Sequence, residues 1–84
     1  MLNLLYFAWI KERMGSTGEQ LQHPTGVDTV AALAAYLQHR DAAGAAAFAQ
    51  PGIVRAAVNQ AFATPETPIQ DGDEIAFFPP VTGG

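Results

Sequence analysis

Eighty-four residues suffice for one small domain and are too few for two hydrophobic cores, which excludes a multidomain enzyme. Hydrophobic residues make up 49% of the chain and charged residues 14%, so the chain can bury a core and differs from disordered sequences. The chain has no cysteine, which excludes disulfides, thiolate metal sites and cysteine nucleophiles.

The charged residues are unevenly distributed. Residues 1–55 contain four basic and four acidic residues, whereas residues 56–84 contain four acidic residues and no basic one, so the net charge of −4 lies in the C-terminal third. Nucleic-acid binding depends on basic groups that neutralise phosphates, and we expect no nucleic-acid partner. The apolar residues 1–10 are too few to span a bilayer, which predicts no membrane association and a cytoplasmic protein.

The first third of the chain predicts two strands around a helical turn. Residues 2–8 are mostly apolar and aromatic, as in a buried strand, and residues 10–14 can form one helical turn that Gly15 closes. Residues 19–23 alternate as in a half-buried strand, which Pro24 ends. His23 and His39 have no acidic or histidine neighbour at metal-ligand spacing, so we predict no metal site.

One main helix is predicted next. Asp28 or Thr29 can cap a helix that runs to about Arg40, and apolar residues with helical spacing give it one buried stripe. Residues 42–49 contain six alanines. We interpret this stretch as a tolerant connector that adds a helical turn at most and has too little side-chain volume to anchor much of the core.

The last part of the chain predicts three strands. These are residues 54–58, residues 61–63 after an Asn59-Gln60 turn, and residues 74–78 after an Asp71-Gly72-Asp73 turn. Alternation in the last strand places Phe77 in the core and Phe78 on the opposite face, where it would meet a partner. The element order predicts an α+β roll with a mixed sheet of four to five strands packed on one main helix over residues 1–80.

The C-terminal sequence has its own chemistry. Pro79 and Pro80 end the last strand because they lack an N–H group, and they make a stiff base for the tail of residues 81–84. That tail reads Val81-Thr82-Gly83-Gly84, and its glycines let it enter a narrow channel. We expect the terminal carboxylate of Gly84 to be activated as an acyl-adenylate, after which a sulfur nucleophile would leave a thiocarboxylate.

Four segments carry a resemblance to a known family. They are Tyr6-Phe7-Ala8 with Lys11-Glu12, Ala56-Ala57-Val58-Asn59-Gln60, Asp71-Gly72-Asp73-Glu74, and Phe77-Phe78-Pro79-Pro80-Val81-Thr82-Gly83-Gly84. In these segments the chain resembles the ubiquitin-like β-grasp sulfur-carrier proteins, most closely the small subunits of molybdopterin synthases. The resemblance covers nearly the whole chain and implies the β-grasp fold.

The resemblance also implies a reaction sequence. A ubiquitin-activating-like adenylyltransferase would use ATP to adenylate Gly84, and the resulting thiocarboxylate would give its sulfur to cyclic pyranopterin monophosphate. That transfer would occur in the synthase large subunit, within a heterotetramer of two small and two large subunits. This chain would not be catalytic alone and would bind no cofactor itself.

We further expect a partner-binding surface. Phe78 would provide an apolar anchor, and the acidic residues Asp71, Asp73 and Glu74 would face basic groups of the partner. Lys11 is a further candidate contact. Small subunits of the family often have arginine at this position, and lysine keeps the charge without the planar fork of hydrogen-bond donors.

Three other functions stay open at this stage. A thiamin sulfur carrier shares the Gly-Gly terminus and the activation chemistry. A protein modifier would form an amide between Gly84 and lysines of its targets. A plain β-grasp interaction module would have an inert tail.

Overall fold

The computed structural model describes residues 1–80, so the tail residues Val81, Thr82, Gly83 and Gly84 lie outside the described part of the chain. The elements follow in the order β1 (Leu2–Tyr6), α1 (Ala8–Met14), β2 (Gly18–Leu21), α2 (Val30–Arg40), α3 (Ala42–Ala47), β3 (Arg55–Val58), β4 (Ala61–Ala63) and β5 (Glu74–Phe78). A short 3₁₀ turn, Pro51–Ile53, connects α3 to β3. Among these elements, no helix is long and apolar enough to cross a membrane.

The strands form one mixed sheet in the order β2-β1-β5-β3-β4. β1 and β5 are parallel, and the other neighbouring strands are antiparallel. The predicted α+β architecture with a mixed sheet is therefore confirmed. The last strand, β5, lies at the centre of the sheet, between β1 and β3.

The core lies between one face of the sheet and the helices. Every second side chain of β1 and β5 points into the core. The predicted apolar stripe of α2 packs against these side chains. The buried residues of these elements are Leu2, Leu4, Tyr6, Ile75, Phe77, Val30, Leu33 and Leu37. The predicted cap of α2 is also confirmed, because the Thr29 hydroxyl accepts a hydrogen bond from the Ala32 N–H at 3.1 Å.

The prediction that residues 42–49 anchor little was wrong. Residues Ala42–Ala47 form a helix, and Phe48 directly after it is only 1% exposed. The Phe48 ring packs edge-on against Phe77, with 5.0 Å between the ring centroids. Gly44 is buried against α2, where a Cβ would overlap the carbonyl oxygen of Leu37. Small side chains therefore anchor α3 by allowing close backbone contact, a mechanism that side-chain volume does not reveal.

Two turns are linked by one side chain. Asn59 and Gln60 both have positive φ angles, 51° and 71°, which suit a tight hairpin between β3 and β4. The Asn59 side chain donates to Asp73 Oδ1 and accepts from the Glu74 N–H, both at 3.0 Å. Gly72, at φ 93°, supplies the left-handed conformation that the second turn requires. Both predicted turns are thus present and hydrogen-bonded to each other.

Candidate functional site

The base of the tail is held from both sides. The Phe7 N–H donates to the carbonyl oxygen of Phe77 at 3.1 Å, on the β1 side. On the β3 side, Arg55 pairs with Phe78. Strand β5 ends at Phe78, as predicted, and is followed by half-buried Pro79 and exposed Pro80. The sheet therefore fixes the chain up to the residue before the proline pair.

The two phenylalanines at the end of β5 point to opposite faces of the sheet. Phe77 faces the helices and is 1% exposed, which confirms its assignment to the core. Phe78 lies on the outer face and is half-buried. Its ring lies 6.0 Å from the ring of Phe62, measured between centroids. Phe62 is 84% exposed, the largest exposed fraction among the large apolar side chains of residues 1–80.

Small side chains continue this apolar surface across the outer face. Phe62 pairs with Ala57 across β4 and β3, and Ala57 pairs with Ala76 across β3 and β5. We call Phe62, Phe78, Ala57 and Ala76 the aromatic patch. The patch lies directly beside the base of the tail, because Phe78 is both a patch residue and the last residue of β5.

Sequence reasoning missed Phe62. The signal was nevertheless available, since the predicted Asn59-Gln60 turn sets the register of β4 against β3. In that register Ala61 and Ala63 pair with Val58 and Ala56, and the alternation of a strand then sends Phe62 to the outer face.

Phe7 follows β1 at the end of the sheet where the parallel strand β5 also ends, and Lys11 lies on α1, the helix that begins there. Phe7 is 48% exposed and immediately precedes α1. Lys11 is exposed on that helix and forms no salt bridge within residues 1–80. The structure therefore places the helix that contains Lys11 next to the end of the sheet where β5 ends, and the contact of Lys11 with a partner stays a prediction.

The three acidic candidates lie at the other end of β5. Four residue steps along a strand separate Glu74 from Phe78, a distance of about 13 Å. Asp71 forms an ion pair with the N-terminal ammonium group, and this hydrogen bond lowers the pKa of the Asp71 carboxyl. Asp73 accepts hydrogen bonds from the Asn59 side chain and the Gln70 N–H, at 3.0 and 2.9 Å. These residues are not brought together with Phe78, and their partner contacts stay predictions.

No metal site is evident in residues 1–80, where no three His, Asp or Glu side chains are grouped so that they could hold an ion. His23 instead lies with Nε2 at 2.6 Å from the carbonyl oxygen of Val27. Within residues 1–80 the site therefore consists of the end of β5, which is hydrogen-bonded to both neighbouring strands, and of the aromatic patch beside it.

Comparison with known proteins covers the whole chain. The model of the ThiS family matches residues 4–84. The chain is 38% identical to the molybdopterin synthase sulfur carrier subunit of Escherichia coli and 39% identical to that of Haemophilus influenzae, in each case over 84 residues and 100% of both chains.

A solved structure extends the comparison to the fold. One chain in the complex of subunits 1 and 2 of molybdopterin-converting factor from Helicobacter pylori is 25% identical, with a TM-score of 0.62. The match covers 99% of this chain and 97% of that chain. The predicted β-grasp fold is confirmed, and the family match together with the full-length relatives shows that the chain belongs to the ThiS family.

Proposed function

We propose that this chain is the sulfur carrier of a molybdopterin synthase, with the sulfur held at the carboxyl group of Gly84. The observation that carries the proposal is the full-length identity of 38% to a molybdopterin synthase sulfur carrier subunit. That likeness favours the synthase carrier over the thiamin carrier, although the two share the Gly-Gly terminus.

The proposed chemistry takes place entirely at the terminal carboxyl group. A Gly84 carboxylate oxygen attacks the α-phosphate of ATP, pyrophosphate leaves, and the resulting acyl-adenylate is a good electrophile. A sulfur nucleophile then displaces AMP and leaves the thiocarboxylate. The activating adenylyltransferase binds the ATP, so this chain needs no cofactor of its own. Use of ATP accords with the cytoplasmic location expected from the sequence.

In the second stage the sulfur leaves the carrier. The thiocarboxylate sulfur forms a bond to cyclic pyranopterin monophosphate inside the large subunit, water hydrolyses the remaining acyl–sulfur bond, and Gly84 returns as a carboxylate with an oxygen from that water. Two charged carriers are needed for each dithiolene, which suits the expected heterotetramer. The chain has no cysteine, so no side-chain thiol can form a disulfide with the carried sulfur.

The described residues contribute orientation. Hydrogen bonding and strand pairing on both sides of β5 fix the base of the tail relative to the aromatic patch. A large subunit that covers Phe62 and Phe78 would therefore meet the tail in a defined direction. Exposed aromatic side chains that become buried on binding are common energetic anchors of interfaces. The Helicobacter pylori complex supports a large-subunit partner, because in it subunits 1 and 2 of molybdopterin-converting factor are bound to each other.

Lys11 would contribute at the rim of this interface. It lies on α1, which follows β1 at the end of the sheet where β5 ends, and an exposed lysine at an interface rim mainly affects association rate. We propose the same surface for the adenylyltransferase, since that enzyme must also receive the tail.

Mass spectrometry and reconstitution test the proposal. Protein isolated from cells should contain a C-terminal peptide heavier by about 16 Da, since sulfur replaces one oxygen in the thiocarboxylate. Charged carrier mixed with the large subunit and cyclic pyranopterin monophosphate should yield a dithiolene pterin, and the carrier should return to the mass of the uncharged protein. The matched control is carrier that lacks Gly84. Amide adducts on lysines of other proteins as the main product, without pterin sulfuration, would instead establish a protein modifier.

A further inference from the structure

One basic side chain lies against the aromatic patch. Arg55 pairs with Phe78 across β3 and β5, and directly paired residues of neighbouring strands point to the same face of a sheet. Arg55 also lies two positions before the patch residue Ala57 in β3, a spacing that likewise puts both on one face. Its side chain therefore leaves β3 on the outer face, where it lines a recess of about 270 Å³ together with Phe62 and Phe78.

The guanidinium of Arg55 has unused hydrogen-bonding capacity. Arg55 is exposed, and its Nη1 donates to the carbonyl oxygen of Gly52 at 3.0 Å. Arg55 forms no salt bridge within residues 1–80, and no acidic side chain among those residues lines the recess. A guanidinium has five N–H donors, so most of them remain available to water or to a partner.

A partner that covers the aromatic patch would also cover Arg55. Because Arg55 lies directly across from Phe78 and beside Phe62, burial of the two rings removes water from the guanidinium as well. A charged group that loses its water costs free energy unless an oppositely charged acceptor replaces that water. A backbone carbonyl would leave the charge uncompensated, whereas a carboxylate can accept from two guanidinium nitrogens at once. The patch therefore suits a partner that has a carboxylate at this point.

We propose that Arg55 pairs with a carboxylate of the molybdopterin synthase large subunit, between apolar side chains that cover Phe62 and Phe78. The inference rests on the proposed function, because it takes the large subunit as the occupant of the aromatic patch. A two-point pair would fix the direction in which that subunit meets the tail, since Arg55 lies opposite the last residue of β5. It would also select against partners with a basic or apolar group there, which leave the guanidinium unpaired.

Binding kinetics with the large subunit test the pair. Arg55→Gln should weaken the complex by about 30-fold, mainly through faster dissociation, since it leaves a buried carboxylate without its partner. Arg55→Lys keeps the charge without the fork of donors and should lie between the wild type and Arg55→Gln. Arg55→Glu should bind most weakly, because it sets two carboxylates against each other. Equal affinities of the wild type and the three variants would overturn the proposal.

The matched charge control is Arg13→Glu. It changes the net charge by the same amount as Arg55→Glu, but Arg13 lies on α1, where its guanidinium packs on the Trp9 ring and donates to the carbonyl oxygen of Ala46 in α3. Arg13→Glu should bind the large subunit as the wild type does, and thermal unfolding verifies that both variants are folded. Equal losses for the two variants would show that only net charge matters and would overturn the proposal.

Two further results separate the Arg55 pair from the proposed function. If Phe62→Ala weakens binding and the Arg55 variants do not, the large subunit covers the patch without a carboxylate, and only the pair is excluded. If the wild-type chain itself does not bind the large subunit, the proposed function fails and the pair with it.

A second copy of this chain is the competing source of a carboxylate, because residues 56–84 contain four acidic residues. Sedimentation of the chain alone, at the concentrations of the binding experiment, should show a monomer. A dimer that Arg55→Glu dissociates would assign the carboxylate to the second copy and overturn its assignment to the large subunit.

Discussion

Arg40 forms a two-point ion pair with Glu19 that joins the end of α2 to β2. Arg40 Nη1 lies 2.8 Å from Glu19 Oε1, and Nη2 lies 3.0 Å from Oε2. The Tyr6 hydroxyl donates to the same carboxylate at 2.7 Å. The hydrogen bonds from Arg40 hold the pKa of the Glu19 carboxyl below its ordinary value, whereas burial and the Glu19 bond raise the pKa of Tyr6. A single carboxylate thus connects β1, β2 and α2.

This cluster predicts a pH-dependent contribution to stability. The folded state lowers the pKa of Glu19, so its stabilising effect is present above the ordinary glutamate pKa of about 4.3 and is lost as pH falls through the folded value. Glu19→Gln should reduce the free energy of unfolding by about 1 kcal/mol at pH 7. The difference between wild type and variant should shrink below about pH 4. Thermal unfolding of both proteins from pH 7 to pH 2 measures it, and a constant difference would contradict the prediction.

Gly44 is expected to be intolerant of any side chain. Alanine there would bring Cβ into the carbonyl oxygen of Leu37, and backbone on both sides would have to move. Gly44→Ala should therefore lower the free energy of unfolding by about 2 kcal/mol or more. Gly52→Ala is the matched control, because a Cβ there meets nothing within 4 Å. Denaturant titration compares the two, and equal stabilities would show that α3 can shift away from α2 at little cost.

The aromatic patch is expected to carry most of the affinity for the large subunit. Phe62→Ala and Phe78→Ala should each weaken binding by about 2 kcal/mol or more, since exposed aromatic side chains that become buried act as anchors. Phe62→Ala is the cleaner test, because an 84% exposed side chain adds little to folding. Ile53→Ala, also exposed but in the 3₁₀ turn, is the control. Calorimetry with the large subunit that shows full affinity for both phenylalanine variants would exclude the patch.

Local signals predicted most of the fold. The structure contains three features that were predicted from a few neighbouring residues each. They are the cap at Thr29, the burial of Ile75 and Phe77 on one face of β5, and the Asn59-Gln60 turn. The anchoring role of α3 was missed because it depends on close approach of Gly44 to Leu37 on another helix. Such contacts leave no periodic pattern in the sequence.

The candidate site was only partly predictable for a similar reason. Phe78 follows from alternation within one strand, but Phe62 becomes its neighbour only through the pairing of β4 with β3 and of β3 with β5. Asp71 and Phe78 are close in sequence and belong to opposite ends of the sheet, because the extended strand β5 separates them. The sequence prediction placed Asp71 and Phe78 in one partner-binding surface because they are close in sequence, whereas the length of β5 keeps them apart.

Removal of Gly84 is expected to abolish activation and leave folding unchanged. Each residue of extended chain spans about 3.5 Å, so deletion withdraws the reactive carboxylate by that distance from the α-phosphate of ATP. Extension by one residue masks the Gly84 carboxyl in a peptide bond. Neither change alters a buried residue of the domain, whose core lies within residues 2–77. Exchange of pyrophosphate into ATP by the adenylyltransferase, measured beside thermal unfolding, should therefore fall to background for both variants while the unfolding temperature stays at the wild-type value. Wild-type exchange by the shortened chain would show that the acyl group is activated at another position.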